Sequence, residues 1–159
     1  MPYGGNGSGH YAVGEFEVAA LTPNVFSADA SGKGPAAANI QRIRPGQADV
    51  YEPVAATVLD EQGKPVIVAR PINIGTGTEK TYLVLYATGL RKRNANAAVT
   101  ARIGDVTVPV EYAGAQGQFV GLDQINIPLP QSLRGKGLVN VTITIDGKTT
   151  NPVQVNFAP

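Results

Sequence analysis

Few residues in this 159-residue chain could do chemistry. Its one histidine, His10, follows the run Gly4-Gly5-Asn6-Gly7-Ser8-Gly9, whereas a nucleophile–base relay needs an imidazole held firmly in register. The absence of cysteine excludes a thiolate nucleophile, a disulfide and a Cys-ligated metal. The carboxylates are scattered through turn-like contexts, where Asp commonly bonds its own loop backbone. Asp60 and Glu61 are adjacent, so they point to opposite sides of an extended chain, and nothing in their spacing places two carboxyls across a cleft as a glycosidase requires. Asp29-Ala30-Ser31-Gly32 and Asp60-Glu61-Gln62-Gly63 offer loop oxygens without the spaced ligands and closing Glu of a calcium loop, and read as turns. Gly75-Thr76-Gly77-Thr78 lacks the Lys-Ser/Thr ending of a phosphate loop. No catalytic residue, metal ligand or cofactor is therefore expected.

Two groups of residues remain as binding candidates. Arg91-Lys92-Arg93, with Asn94 and Asn96, could meet an acidic polysaccharide, although three charges in one exposed turn usually make a solvated tip. Tyr11, Val13, Phe16 and Val18 alternate imperfectly with Glu15 and Glu17, which reads as a strand over residues 10–20 with Tyr11 and Val13 buried. Tyr82, Tyr86, Tyr112 and Phe119 could form a sugar-stacking face, but without tryptophan and with 6% aromatics, core packing suits Tyr82 and Tyr86 better.

The elements that must position these residues are strands. Charged residues make up 16% of the chain, while glycine (19) and proline (12) are frequent, so Lys/Glu-rich helical faces are missing and turns are many. A net charge of +1 gives no long-range field to recruit nucleic acid, and no apolar run is long enough for membrane insertion. Residues 1–9 read as a flexible Gly-rich arm or linker. Strands are expected at residues 36–44, 54–60 and 65–69, with Phe26 plugging the core beside a turn. Residues 82–87 are a continuous apolar run suited to a central strand. Residues 98–103 and 106–112 form a hairpin across Gly104-Asp105, and residues 121–129 another strand. Asp146-Gly147 is the strongest hairpin signal, joining residues 138–145 to 148–157. Any helix should be a single turn near residues 129–133. The pattern predicts an all-β, immunoglobulin-like Greek-key β-sandwich, as one large sandwich or two packed β subdomains. Residues 10–74 would form an N-terminal β block carrying the candidate donor strand, and residues 75–159 the second sandwich unit.

Four motifs, YLVLYATGL (82–90), IGDVTVPVEYAGAQ (103–116), GLDQINIPLPQSL (121–133) and LVNVTITIDGKTTNPVQVNF (138–157), occur in order. Together they resemble the uncharacterised Solibacter-type C-terminal domain of secreted acidobacterial proteins. ALTPNVF (20–26) and SGKGPAAA (31–38) resemble that family's lead-in, so the likeness covers roughly residues 11–157. That family is itself similar to immunoglobulin-like plexin and transcription-factor (IPT/TIG) domains. The resemblance implies a β fold and an extracellular or cell-surface location, with no activity or catalytic residues to carry over. In longer relatives a preceding sandwich unit ends in a strand where residues 11–19 stand here, which would leave that strand without its partner.

An unpartnered strand exposes N–H and C=O groups that gain hydrogen bonds by completing another molecule's sheet. The leading expectation is thus a non-enzymatic extracellular structural protein that self-associates, as a homo-oligomer or filament, through β-strand complementation. The alternatives are a C-terminal adhesive or carbohydrate-binding module with extracellular polysaccharide as partner, and a secreted hydrolase.

Overall fold

The computed structural model describes residues 13–15 and 18–159. The described chain is all-β, and fourteen short strands build two six-stranded sheets and one separate ribbon. In chain order the first seven are β1 (Asn24–Val25), β2 (Ala38–Ile43), β3 (Val50–Pro53), β4 (Ala55–Leu59), β5 (Pro65–Ala69), β6 (Pro71–Ile72) and β7 (Lys80–Thr88). The rest are β8 (Val99–Ile103), β9 (Val106–Pro109), β10 (Tyr112–Ala115), β11 (Asp123–Pro128), β12 (Gly137–Ile145), β13 (Lys148–Thr149) and β14 (Val153–Phe157). A single 3-10 turn, Gln131–Leu133, stands where the sequence left room for one.

The first sheet runs β10-β11-β7-β2-β3, with β1 also pairing β7, and the second runs β6-β14-β12-β8-β9, with β13 on β12. All pairings are antiparallel except β14 with β6. The two sheets are faces of a sandwich over one core. Ile40, Leu83, Leu85, Ile125 and Ile127 come from the first sheet, and Ile103, Val141, Ile143, Ile145, Val155 and Phe157 from the second. Strands from both sequence blocks share both sheets, since β2 pairs β7 and β6 pairs β14. The boundary drawn at residues 74 and 75 therefore separates no sheets.

Alternation carries most of this. In β2 and β14 every second side chain is buried, which turns one face of each strand inward, Arg42 of β2 included, and leaves the other polar except at Ile43. β7 is central, flanked by β11 and β2, as its apolar run requires. Leu83, Leu85 and Ala87 face the core, while buried Val84 stays out of it, set in register between Asn39 and Asn126 of the neighbouring strands. The Asp146-Gly147 turn has φ of 48° and 73°, the positive pair a two-residue hairpin needs.

Several expectations change. Residues 106–112 are not one strand: β9 stops at Pro109, and Tyr112 opens β10 in the opposite sheet. Proline at 109 cannot donate to a ladder, so the chain crosses between sheets there. The hairpin arm after Asp146-Gly147 is interrupted between β13 and β14, where Asn151 turns to bond the backbone of Val25 and Gly32. Phe26 is exposed, and its neighbour Val25 fills the core instead. A short strand, β3, was not anticipated, because Val50 and Tyr51 alternate with nothing buried.

Candidate functional site

The predicted assembly strand has no strand geometry where it is described. Val13, Gly14, Glu15, Val18 and Ala19 belong to no strand, and Val13 and Val18 are 96% and 80% exposed rather than buried. Tyr11 and Phe16, like His10 and the arm at 1–9, lie outside the described residues. From Leu21 onward the chain is anchored: Leu21 is buried and its carbonyl accepts the Lys148 ammonium at 2.8 Å.

The candidate binding loop is largely a clasp. Arg91 Nε donates to Asp123 Oδ1 at 2.6 Å and its Nη2 to the Leu122 carbonyl at 3.0 Å. Arg93 Nη2 donates to the Ala113 carbonyl at 3.1 Å. Two of the three cations thus tie the loop after β7 to β10 and β11, leaving Lys92 as the exposed charge at the tip. The contacts are non-local: the loop after β7 lies against the Leu122–Asp123 start of β11 and against β10, and its guanidiniums meet a carboxylate and two carbonyls there. Likewise the Asp29 carboxylate accepts Ser31 N and Oγ, and that of Asp60 accepts Gln62 N and Lys64 N, so both acids serve their own turns.

A charged cluster whose members lie far apart along the chain sits beside the Gly75–Thr78 loop. Glu79, on the threshold of β7, accepts Arg42 Nη1 at 2.8 Å and also Arg44 Nε, while Arg42 reaches Glu52 and the Asn73 carbonyl. The β2–β7 and β2–β3 registers bring Arg42, Glu52 and Glu79 together, and Asn73 joins from the end of β6. A Cβ at Gly75 would fall 2.1 Å from Glu79 Oε1, so a side chain there would push the carboxylate away from its arginines. Burial alone would raise the Glu79 pKa, but the two guanidiniums outweigh it and hold the carboxyl below its ordinary value of 4.5. A carboxyl with a depressed folded-state pKa contributes stability that is complete above the ordinary value and is lost as pH falls through the folded one. Glu79→Gln is therefore expected to be less stable than wild type at pH 7, with the gap narrowing below about pH 4.5. Urea unfolding at pH 7 and pH 3 checks this, and an equal gap at both would refute it.

The Glu79 carboxylate also edges a cleft of about 270 Å³ lined by Thr81, Tyr82, Glu111, Leu129 and Gln131. Burial first, then the nearby Glu111 carboxylate, push the Tyr82 phenol above its ordinary range, so it stays a neutral donor. Among the described residues no group of three or more His, Cys, Asp or Glu is placed to hold a metal ion, and no helix is long and apolar enough to cross a membrane.

The most unusual surface is the ribbon β4–β5. It springs from the seam between the sheets: β3, which leads into it, edges the first sheet, and β6, which leaves it, edges the second. Val54 N donates to the Ala38 carbonyl and Arg70 N to the Val54 carbonyl, the hand-off from body to ribbon. Cross-strand pairs Ala55/Ala69, Thr57/Ile67 and Leu59/Pro65 lie on one face and Ala56/Val68 and Val58/Val66 on the other. Nine of these ten residues are apolar, yet none is buried, and Leu59 is 68% exposed. The sequence showed both strands but not their setting, because an apolar run without polar alternation is also how a strand inside a core reads.

No protein-family model, curated protein or solved structure matches this chain.

Proposed function

We propose that this chain is a non-enzymatic, immunoglobulin-like structural module of an extracellular bacterial protein that works by self-association through β-strand pairing. The observation that carries this reading is the projecting ribbon β4–β5. It is apolar on both faces, exposed or half-buried throughout, and paired to no other strand among the described residues. An isolated two-stranded ribbon is marginal in water and gains stability from a third strand or a covering surface. Exposed Val13 and Val18 supply further apolar surface near the N-terminal end of the described chain. The extracellular setting rests on the resemblance of residues 81–157 to the Solibacter-type domain. The non-enzymatic reading is supported by the engagement of Asp29, Asp60, Glu79 and Asp123 with their own turns or with arginines.

Sedimentation velocity from about 1 to 200 μM tests the reading. The weight-average mass should rise with concentration above the 16.5 kDa monomer. A constant monomer mass across that range refutes it. One observation favours a second reading, an adhesive or carbohydrate-binding module: the cleft beside Tyr82 combines a ring with Glu111, Thr81 and Gln131. Saccharide binding lost on Tyr82→Ala would move the assignment there.

A further inference from the structure

We infer that two copies of this chain join edge to edge through β4, antiparallel about a two-fold axis at Thr57, to make a four-stranded sheet ordered β5-β4-β4-β5. This rests on the self-association reading and names its surface.

The backbone selects the edge. Arg70 N bonds the Val54 carbonyl and Asp60 N the Lys64 carbonyl. In this antiparallel register the even-numbered residues of β4 therefore bond inward to β5, since hydrogen-bonded pairs alternate along a ladder. Ala55, Thr57 and Leu59 must then point their N–H and C=O groups outward, to an edge that pairs with no strand among the described residues. On β5 the corresponding outward residues are Pro65, Ile67 and Ala69. Pro65 has no N–H, so that edge is blunted, and β5 also lies on the side of the body's β14. The β4 edge carries no proline, no lysine and no other charge between residues 55 and 59, and so lacks the devices that normally stop edge pairing.

Self-pairing about Thr57 sets Ala55 against the second copy's Leu59, and Thr57 against Thr57. These are all outward-pointing residues, so every pair closes two hydrogen bonds. Large faces small at the ends, and a Thr–Thr pair suits the centre. The same register sets Asp60 of one copy, whose own cross-strand neighbour is Lys64, opposite the other copy's Val54, which is buried at the root of the ribbon and has Arg70 as its cross-strand neighbour. Arg70 is exposed and makes no ion pair among the described residues. The tip at Asp60–Lys64 carries two acids and one lysine, so each ribbon brings a net negative end toward the other copy's Arg70, two strands across. Pairing through β5 about Ile67 would instead oppose Lys64 to Arg70, a like-charge contact. The two-fold contact is isologous and closes as a dimer.

The test puts charges on the axis. Thr57 is exposed, so Thr57→Lys and Thr57→Glu should keep the wild-type unfolding midpoint at concentrations where wild type is monomeric, and fall below it only where wild type dimerises. Each alone should sediment as a monomer at concentrations where wild type is dimeric, because the axis sets each charge against its own copy. Mixed in equal amounts, the two should restore the dimer. Thr57→Cys introduces the chain's sole cysteine, and the ~5.5 Å Cα separation of a hydrogen-bonded pair lies within disulfide reach. It should therefore yield a disulfide-linked dimer on mild oxidation, while Ile67→Cys should not. A wild-type monomer at every concentration overturns both this inference and the self-association reading. A dimer that survives Thr57→Lys, with no cross-link through Thr57→Cys, overturns the β4 interface alone and leaves self-association standing.

Discussion

Asp123→Ala is expected to lower the unfolding free energy by about 3 to 4 kcal/mol, measured by urea denaturation. Asp123 opens β11 and is 1% exposed. Its Oδ2 accepts the buried Leu90 N–H at 3.0 Å and its Oδ1 accepts Arg91 Nε. Truncation leaves the Leu90 N–H without a partner away from water, which costs about 1 to 3 kcal/mol, and removes a charge-assisted bond of comparable worth. Arg91 is nearly half exposed and rehydrates, which keeps the loss below that of a fully buried pair. Asp123→Asn retains an acceptor for Leu90 and should cost about half as much. Equal losses for the two variants, or an alanine loss under about 1 kcal/mol, would refute this account.

Gly89→Ala should cost about 3 kcal/mol, whereas Gly121→Ala should cost about 1 to 2. Both glycines sit at positive φ, 78° and 83°, where an L side chain is strained. Only at Gly89 is the space also taken: a Cβ there would lie 2.2 Å from the Thr22 carbonyl oxygen, while nothing lies within 4 Å of one at Gly121. Thr22 cannot retreat without moving Leu21, which is buried over the end of the core. Urea unfolding of the two variants separates backbone strain from close approach. Equal losses would mean that the lead-in segment yields freely.

Several local patterns were read correctly from the sequence alone, although the alternating stretch 106–112 and the burial of Val13 were not. The face Val141, Ile143, Ile145, the central position of residues 82–87 and the turn at Asp146-Gly147 are local properties, set by side-chain period and by which residues tolerate positive φ. That the described chain is all-β, with one helical turn, followed from the same patterns. The sites were less legible. Arg91 and Arg93 read as a solvated binding tip and instead clasp Asp123 and Ala113, because their partners are 32 and 20 residues away. The Arg42–Glu79 cluster was invisible for the same reason.

Residues 10–20 drew attention as the unpaired element, whereas the structure exposes a different apolar element, the ribbon at 55–69, that reads in sequence like two core strands. Sequence determined which segments extend and which side of each strand is apolar. Tertiary structure decided which apolar segments find a partner, since burial depends on whether another strand arrives within about 5 Å in register. No local pattern encodes that arrival.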